Sequence, residues 1–297
     1  MFGKRRIPLW QRLFNIRHHS RTHTARLRRR ISDELYGRAH SHRAADPADV
    51  LESSIIFSGK HSHPDIYRMS QKSFSDDGLS TIRTNVIKNP YNTAVLFGDL
   101  RLTWQDVWER SNRLGNALIN LGLTRQDRVM IFLPNCMEYP EVILGINKAG
   151  LVATGCNFRL TGPEVAYQVN DSGARAIILQ GTEQLETIQA IREQTPALEN
   201  IIMLGKDAPK GVIAYQEALD SASAEDPPIE LDSGEVHLLM YTSGTTGKPK
   251  AAARTYKADY HMANAVCHEL GLRSDDTYLA VAPIMPQRAW DTLWRLC

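Results

Sequence analysis

From Val95 onward, short apolar runs alternate with longer stretches whose apolar residues recur about every 3.6 positions, which predicts a succession of β–α units. Thr103 is placed to cap a helix from Trp104 to Leu121, with Val107, Leu114, Leu118 and Leu121 facing inward and Gly122 ending it. The run VMIFL at 129–133 reads as a buried strand, followed by a helix from Tyr139 to Ala149 that Gly150 closes. Thr161-Gly-Pro-Glu164 is a capping box with proline in the first turn of a third helix. Further strands are expected at 176–179, 200–204, 236–243 and 277–283, with helices near 183–193 and 256–270. The stretch SASAEDPPIELDSGE, 221–235, reads as a loop separating two subregions. The predicted fold class is α/β, in layered βα units, with a complete first lobe at 76–230 and the truncated start of a second lobe at 231–297.

Residues 1–75 follow no such pattern. They are rich in Arg, His and Ser, and their few apolar residues offer little burial against the entropy of ordering, so the segment reads as a disordered basic and histidine-rich extension. One patch, Ile7, Trp10, Leu13 and Phe14 among arginines, has near-helical spacing and suits a mitochondrial targeting helix or a membrane-surface segment. A plainer reading is that residues 1–68 do not belong to the working protein, which would then start at Met69. The pairs His40/His42 and His61/His63 lie here too, and without supporting partners an HxH pair reads as solvated chain rather than a metal site.

Charge sharpens the division. Ten of the 35 basic residues fall within residues 1–32, which hold no acid, leaving 25 basic against 33 acidic residues in the remainder. A nucleic-acid-binding core is therefore not indicated, although the basic tail alone could tether the chain to anionic lipid or nucleic acid. No run approaches the ~18 apolar residues of a membrane-spanning helix. Cys136, Cys156, Cys267 and Cys297 form neither a CxxC pair nor a disulfide frame, which fits a reducing, cytoplasmic setting.

The chemistry concentrates in Tyr241-Thr-Ser-Gly-Thr-Thr-Gly-Lys-Pro-Lys250, which follows a predicted strand. Gly244 and Gly247 let backbone N–H groups converge on an anion, and the hydroxyls of Ser243, Thr245 and Thr246 donate further bonds. Lys248 and Lys250 offset negative charge, and Pro249 limits how far the loop deforms. The segment is not a Walker A loop, which would need glycine at Thr242 and a hydroxyl at Pro249. A polar turn between elements is the competing reading, made weaker by the density of phosphate-compatible groups.

This segment resembles the signature phosphate loop of the adenylate-forming superfamily, which includes acyl-CoA synthetases, peptide-synthetase adenylation domains and firefly-type luciferases. The order of upstream segments agrees over about 80–285, and NFRLTGPEVAYQVNDSGAR is similar to fatty-acyl and related CoA ligases. The resemblance implies two half-reactions: a small-molecule carboxylate, fatty or related, attacks ATP to give acyl-adenylate and pyrophosphate, and the CoA thiol then displaces AMP. It implies ATP and CoA as co-substrates with Mg²⁺, and Thr242 to Lys250 in contact with the nucleotide phosphates, Thr245, Thr246 and Lys250 most directly. No protein metal ligand and no catalytic residue is assigned.

Three departures accompany it. Ala251 stands where the family usually has glycine. The pattern is lost from Pro286 to Cys297, where a histidine or aromatic is expected, and His237 and His261 read as structural rather than as substitutes. Nothing resembles the later segments carrying the adenine and ribose contacts, the hinge and the lid lysine. The expectation is therefore a ligase fragment inactive alone, or one half of a split enzyme completed by a separate C-terminal lid chain. A non-catalytic binding or assembly module is the alternative.

Overall fold

The computed structural model describes residues 55–58, 79–242, 248–273 and 276–280. In chain order the elements are β1 (Ile55–Ser58), α1 (Leu79–Lys88), β2 (Thr93–Phe97), β3 (Leu100–Thr103), α2 (Trp104–Asn120), β4 (Arg128–Phe132), α3 (Tyr139–Lys148), β5 (Val152–Gly155) and α4 (Gly162–Ser172). They continue with β6 (Ala174–Leu179), α5 (Gly181–Ala190), a 3₁₀ turn (Arg192–Gln194), β7 (Asn200–Met203), β8 (Ile213–Ala214), α6 (Tyr215–Asp220), β9 (Val236–Thr242), β10 (Lys250–Thr255), α7 (Tyr256–Leu270) and β11 (Thr277–Ala280).

A seven-stranded sheet in the order β10-β9-β5-β4-β6-β7-β8 forms the centre. Its neighbours pair in parallel except β10, which returns antiparallel on β9. Period-two alternation along β4 sends Val129 and Ile131 to one face and Met130 and Phe132 to the other, all at most 1% exposed. On the first face they pack with Leu114, Leu118, Val142, Ile146 and Tyr215 of α2, α3 and α6. On the second they meet Val165 and Val169 of α4 and Leu185 and Ile188 of α5. The result is a three-layer α/β/α arrangement, the α/β class expected from the alternating pattern. A smaller antiparallel sheet, β11-β1-β2-β3, stands beside it.

The helix ends follow local chemistry. Thr103 Oγ1 accepts from the Asp106 N–H at 3.1 Å while the Asp106 carboxylate accepts from the Thr103 N–H at 2.8 Å, a closed capping box for α2. Thr161 and Glu164 make the same box for α4, which ends at Gly173 with φ +64°. That left-handed turn suits glycine.

The structure departs from the sequence reading in several places. Ile55–Ser58, inside the stretch read as disordered, form β1 between β2 and β11, an order supplied by pairing on both edges. The segment around 221–235 is no divider between sheets, because β9 beyond it pairs with β5 in the same sheet as β4 and β6. Its polar composition reads as a linker, yet the amide of Asn112 donates to Ala224 O and Asp226 Oδ1 and that of Asn116 to Ser223 O and Glu225 O, docking it on α2. The helix near 183–193 begins at Gly181 and tightens to a 3₁₀ turn after Ala190. Elements α1, β2, β3, β5, β8, α6 and β10 add to those predicted. The apolar patch at 7–14, the histidine pairs, residues 281–283 of the last strand and the terminus from Pro286 lie outside the described residues.

Candidate functional site: the β9–β10 turn

Strand β9 runs beside β5, and its carboxyl end delivers the chain into the glycine- and hydroxyl-rich segment. In open α/β sheets the carboxyl ends of parallel strands are where ligands sit. The chain returns at once as β10, with Lys250 opposite Thr242 and Ala251 opposite Tyr241. Thr242 Oγ1 donates to Lys250 O at 3.4 Å across the base of this turn. Thr242 and Pro249 are half-buried, and Lys248 and Lys250 are exposed. Ser243, Gly244, Thr245, Thr246 and Gly247 lie outside the described residues, so of the nine sequence-predicted site residues the structure brings together Thr242, Lys248, Pro249 and Lys250.

The two flanks of the turn are held by α4. Tyr241, the last residue of β9 before Thr242, donates its hydroxyl to Asp171 Oδ2 at 2.8 Å. Tyr167, one helical turn before Asp171, donates to the Pro249 carbonyl at 3.0 Å, and the Lys248 ammonium lies 5.9 Å from the centre of its ring. Burial pushes the Tyr241 hydroxyl well above the usual tyrosine range, and its bond to Asp171 pushes the same way. The Tyr167 hydroxyl is raised as well, by desolvation and by the Asp171 charge. Both phenols therefore stay protonated as donors at neutral pH. Sequence reasoning missed Tyr167 and Asp171 as site neighbours, although their spacing of four on one helix face signals a shared target.

Behind the strand, His237 is fully buried, with Nε2 2.9 Å from Asp259 Oδ2 and Nδ1 3.3 Å from Asn147 Nδ2. Arg254 donates to the other Asp259 oxygen, and the Tyr256 ring stacks on His237 at 4.6 Å. This network ties β9, β10, α3 and α7 together, a structural role as expected for His237. His261 lies exposed on α7, edge-on to Tyr260 at 5.7 Å.

The two lysines thus place exposed positive charge at the carboxyl edge of the sheet. Among the described residues no group of three or more His, Cys, Asp or Glu is arranged to hold a metal ion.

Comparison with known proteins decides the family. The family model described as AMP-binding enzyme matches residues 82–294. This chain belongs to the AMP-binding enzyme family. It is 31% identical over 196 residues to the long-chain-fatty-acid–CoA ligase FadD13 of Mycobacterium tuberculosis, covering 66% of this chain and 38% of that protein. It is 34% identical over 197 residues to a feruloyl-CoA synthase of an Amycolatopsis species, covering 66% and 37%. Among solved structures it resembles the anthranilate CoA ligase AuaEII in complex with anthranoyl-AMP, with a TM-score of 0.59 and 27% identity over 63% of this chain and 36% of that one. The chain thus spans under two-fifths of the length of the curated relatives it matches. No helix among the described residues is long and apolar enough to cross a membrane.

Proposed function

We propose that this member of the AMP-binding family carries the polyphosphate-binding portion of an acyl-CoA synthetase, which joins a small-molecule carboxylate to CoA at the expense of ATP. The observation that carries the reading is the β9–β10 turn, where Thr242, Lys248 and Lys250 meet at the carboxyl edge of a parallel sheet. Pyrophosphate is a strongly anionic leaving group, so fixed donors and cations at this edge stabilise charge as it develops. Thr242 to Lys250 are the contact residues of the proposal, Lys248 and Lys250 supplying charge and Thr242 a hydroxyl. Relatives named for long-chain fatty, feruloyl and anthranilate substrates share the carboxylate, which is the substrate class proposed here.

Calorimetric titration of MgATP into the chain tests this. Binding is expected, weakening steeply with salt, and the double variant Lys248→Ala, Lys250→Ala is expected to lower affinity at least ~10-fold, since charge-assisted contacts are the strong ones. Failure of the wild-type chain to bind, or equal binding by the double variant, overturns the reading.

A further inference from the structure

Among the described residues strand β10 is the edge of its sheet, and Lys250, Ala251, Ala252 and Ala253 are all exposed. A hairpin held on one side only leaves its turn free to sway, and sway spreads the charges a polyanion must find together. Here a second support reaches the turn from α4. The entering flank is fixed by Tyr241 on Asp171 Oδ2 and the leaving flank by Tyr167 on the Pro249 carbonyl, while the Tyr167 hydroxyl lies 3.5 Å from the other Asp171 oxygen. The contacts span 70 and 82 residues of sequence and end on one face of one helix. That helix is a firm base, closed by a capping box at its start and anchored by Val165 and Val169, both fully buried. The Tyr167 ring also stands beneath the Lys248 ammonium, so the same side chain that fixes the Pro249 carbonyl orients the neighbouring charge.

We propose that Tyr167 and Asp171 are positioning residues for nucleotide binding, clamping both flanks of the β9–β10 turn so that Lys248 faces the incoming phosphates. This rests on the reading of the turn as a polyphosphate site. The hydroxyl of Tyr167 holds the carbonyl, its ring holds the ammonium, and Asp171 receives the tyrosine that opens the turn.

The test uses the full chain, with MgATP and magnesium pyrophosphate as probes. Tyr167→Phe keeps the ring and removes the hydroxyl. It is expected to weaken both ligands about fivefold, the value of one neutral hydrogen bond, with the melting temperature lowered by no more than about 4 °C. Amide exchange at Lys248 and Lys250 in the free chain is expected to quicken. Asp171→Asn, which still offers Tyr241 an acceptor, is expected to lose less affinity than Asp171→Ala. Unchanged exchange at Lys248 and Lys250 in Tyr167→Phe overturns the clamp. Unchanged affinity with quickened exchange overturns its role in binding. A fall in melting temperature that tracks the affinity loss across all three variants reduces it to a fold contact. If the wild-type chain binds neither probe, the polyphosphate reading itself has failed, and the inference falls with it; the exchange comparison still reports separately on the clamp.

Discussion

Lys148, at the end of α3, is only 6% exposed, with Nζ 2.7 Å from Asn112 Oδ1, 2.8 Å from Ser111 Oγ and 3.2 Å from the centre of the Trp108 ring. Burial pushes its pKa down to about 6 against an ordinary 10.5, with Asp226 opposing the shift. The unfolded chain keeps this proton up to the ordinary lysine range while the folded chain releases it near 6, so the unfolded state binds more protons between those values. Stability contributed through this group therefore rises with pH across that window and is lowest below about 6. Urea unfolding of wild type and Lys148→Met at pH 6, 7.5 and 9 checks the sign: wild type is expected to gain on the variant as pH rises, and a constant difference contradicts it. Glu141 is the acidic counterpart, fully buried, with its carboxylate gripped by Arg110 Nε at 2.6 Å and Nη2 at 2.8 Å and by the Tyr215 hydroxyl at 2.8 Å. Desolvation still holds its pKa above the usual carboxylate value, with Arg110 pulling the other way. Both groups knit helices on the face of the sheet away from α4.

At the scale of elements, α2 and α3 pack closely through two glycines. A Cβ built on Gly145 would lie 2.8 Å from Leu114 Cβ, and one on Gly115 would meet the Gly145 carbonyl at 3.0 Å, so these glycines set how near the helices come. Gly145→Ala is expected to cost roughly 1–3 kcal/mol by overpacking. Combined with Leu114→Ala it is expected to cost less than the sum of the two, because the new methyl fills some of the space vacated; strict additivity in denaturant unfolding refutes the contact. Elements with sharp signals were legible beforehand: α2 through Thr103 at its start and Gly122 after its end, α4 through its capping box, β4 through an unbroken apolar run. Those without were not. Ala251, Ala252 and Ala253 of β10 carry no alternation, and the strand exists because β9 supplies its partner. In the site, the phosphate-compatible residues were legible because they are contiguous. Tyr167 and Asp171 were not, because their connection to the turn is made only by the packing of α4 beside β9.

At the scale of the molecule, the larger and smaller sheets share the work unequally. The seven-stranded sheet carries helices on both faces and presents the turn, whereas the four-stranded sheet joins chain segments far apart in sequence. Within it β1 lies between β2 and β11, with Ile55 opposite both Phe97 and Ala280. A chain beginning at Met69 lacks β1 and leaves the facing edges of β2 and β11 unpaired. Such a chain is expected to melt at a lower temperature and to self-associate, as read by calorimetry and light scattering. An unchanged melting temperature with a monodisperse solution contradicts a structural role for Ile55–Ser58.

The position of β1 also sets a schedule for the nascent chain. Its pairing with β2 becomes possible soon after both leave the ribosome, but Ser58 meets Thr277, its other neighbour, only after more than two hundred further residues. At roughly 5–20 residues per second that wait is on the order of tens of seconds. The larger sheet has time to assemble first, and the smaller one waits with one edge of β1 open until β11 emerges.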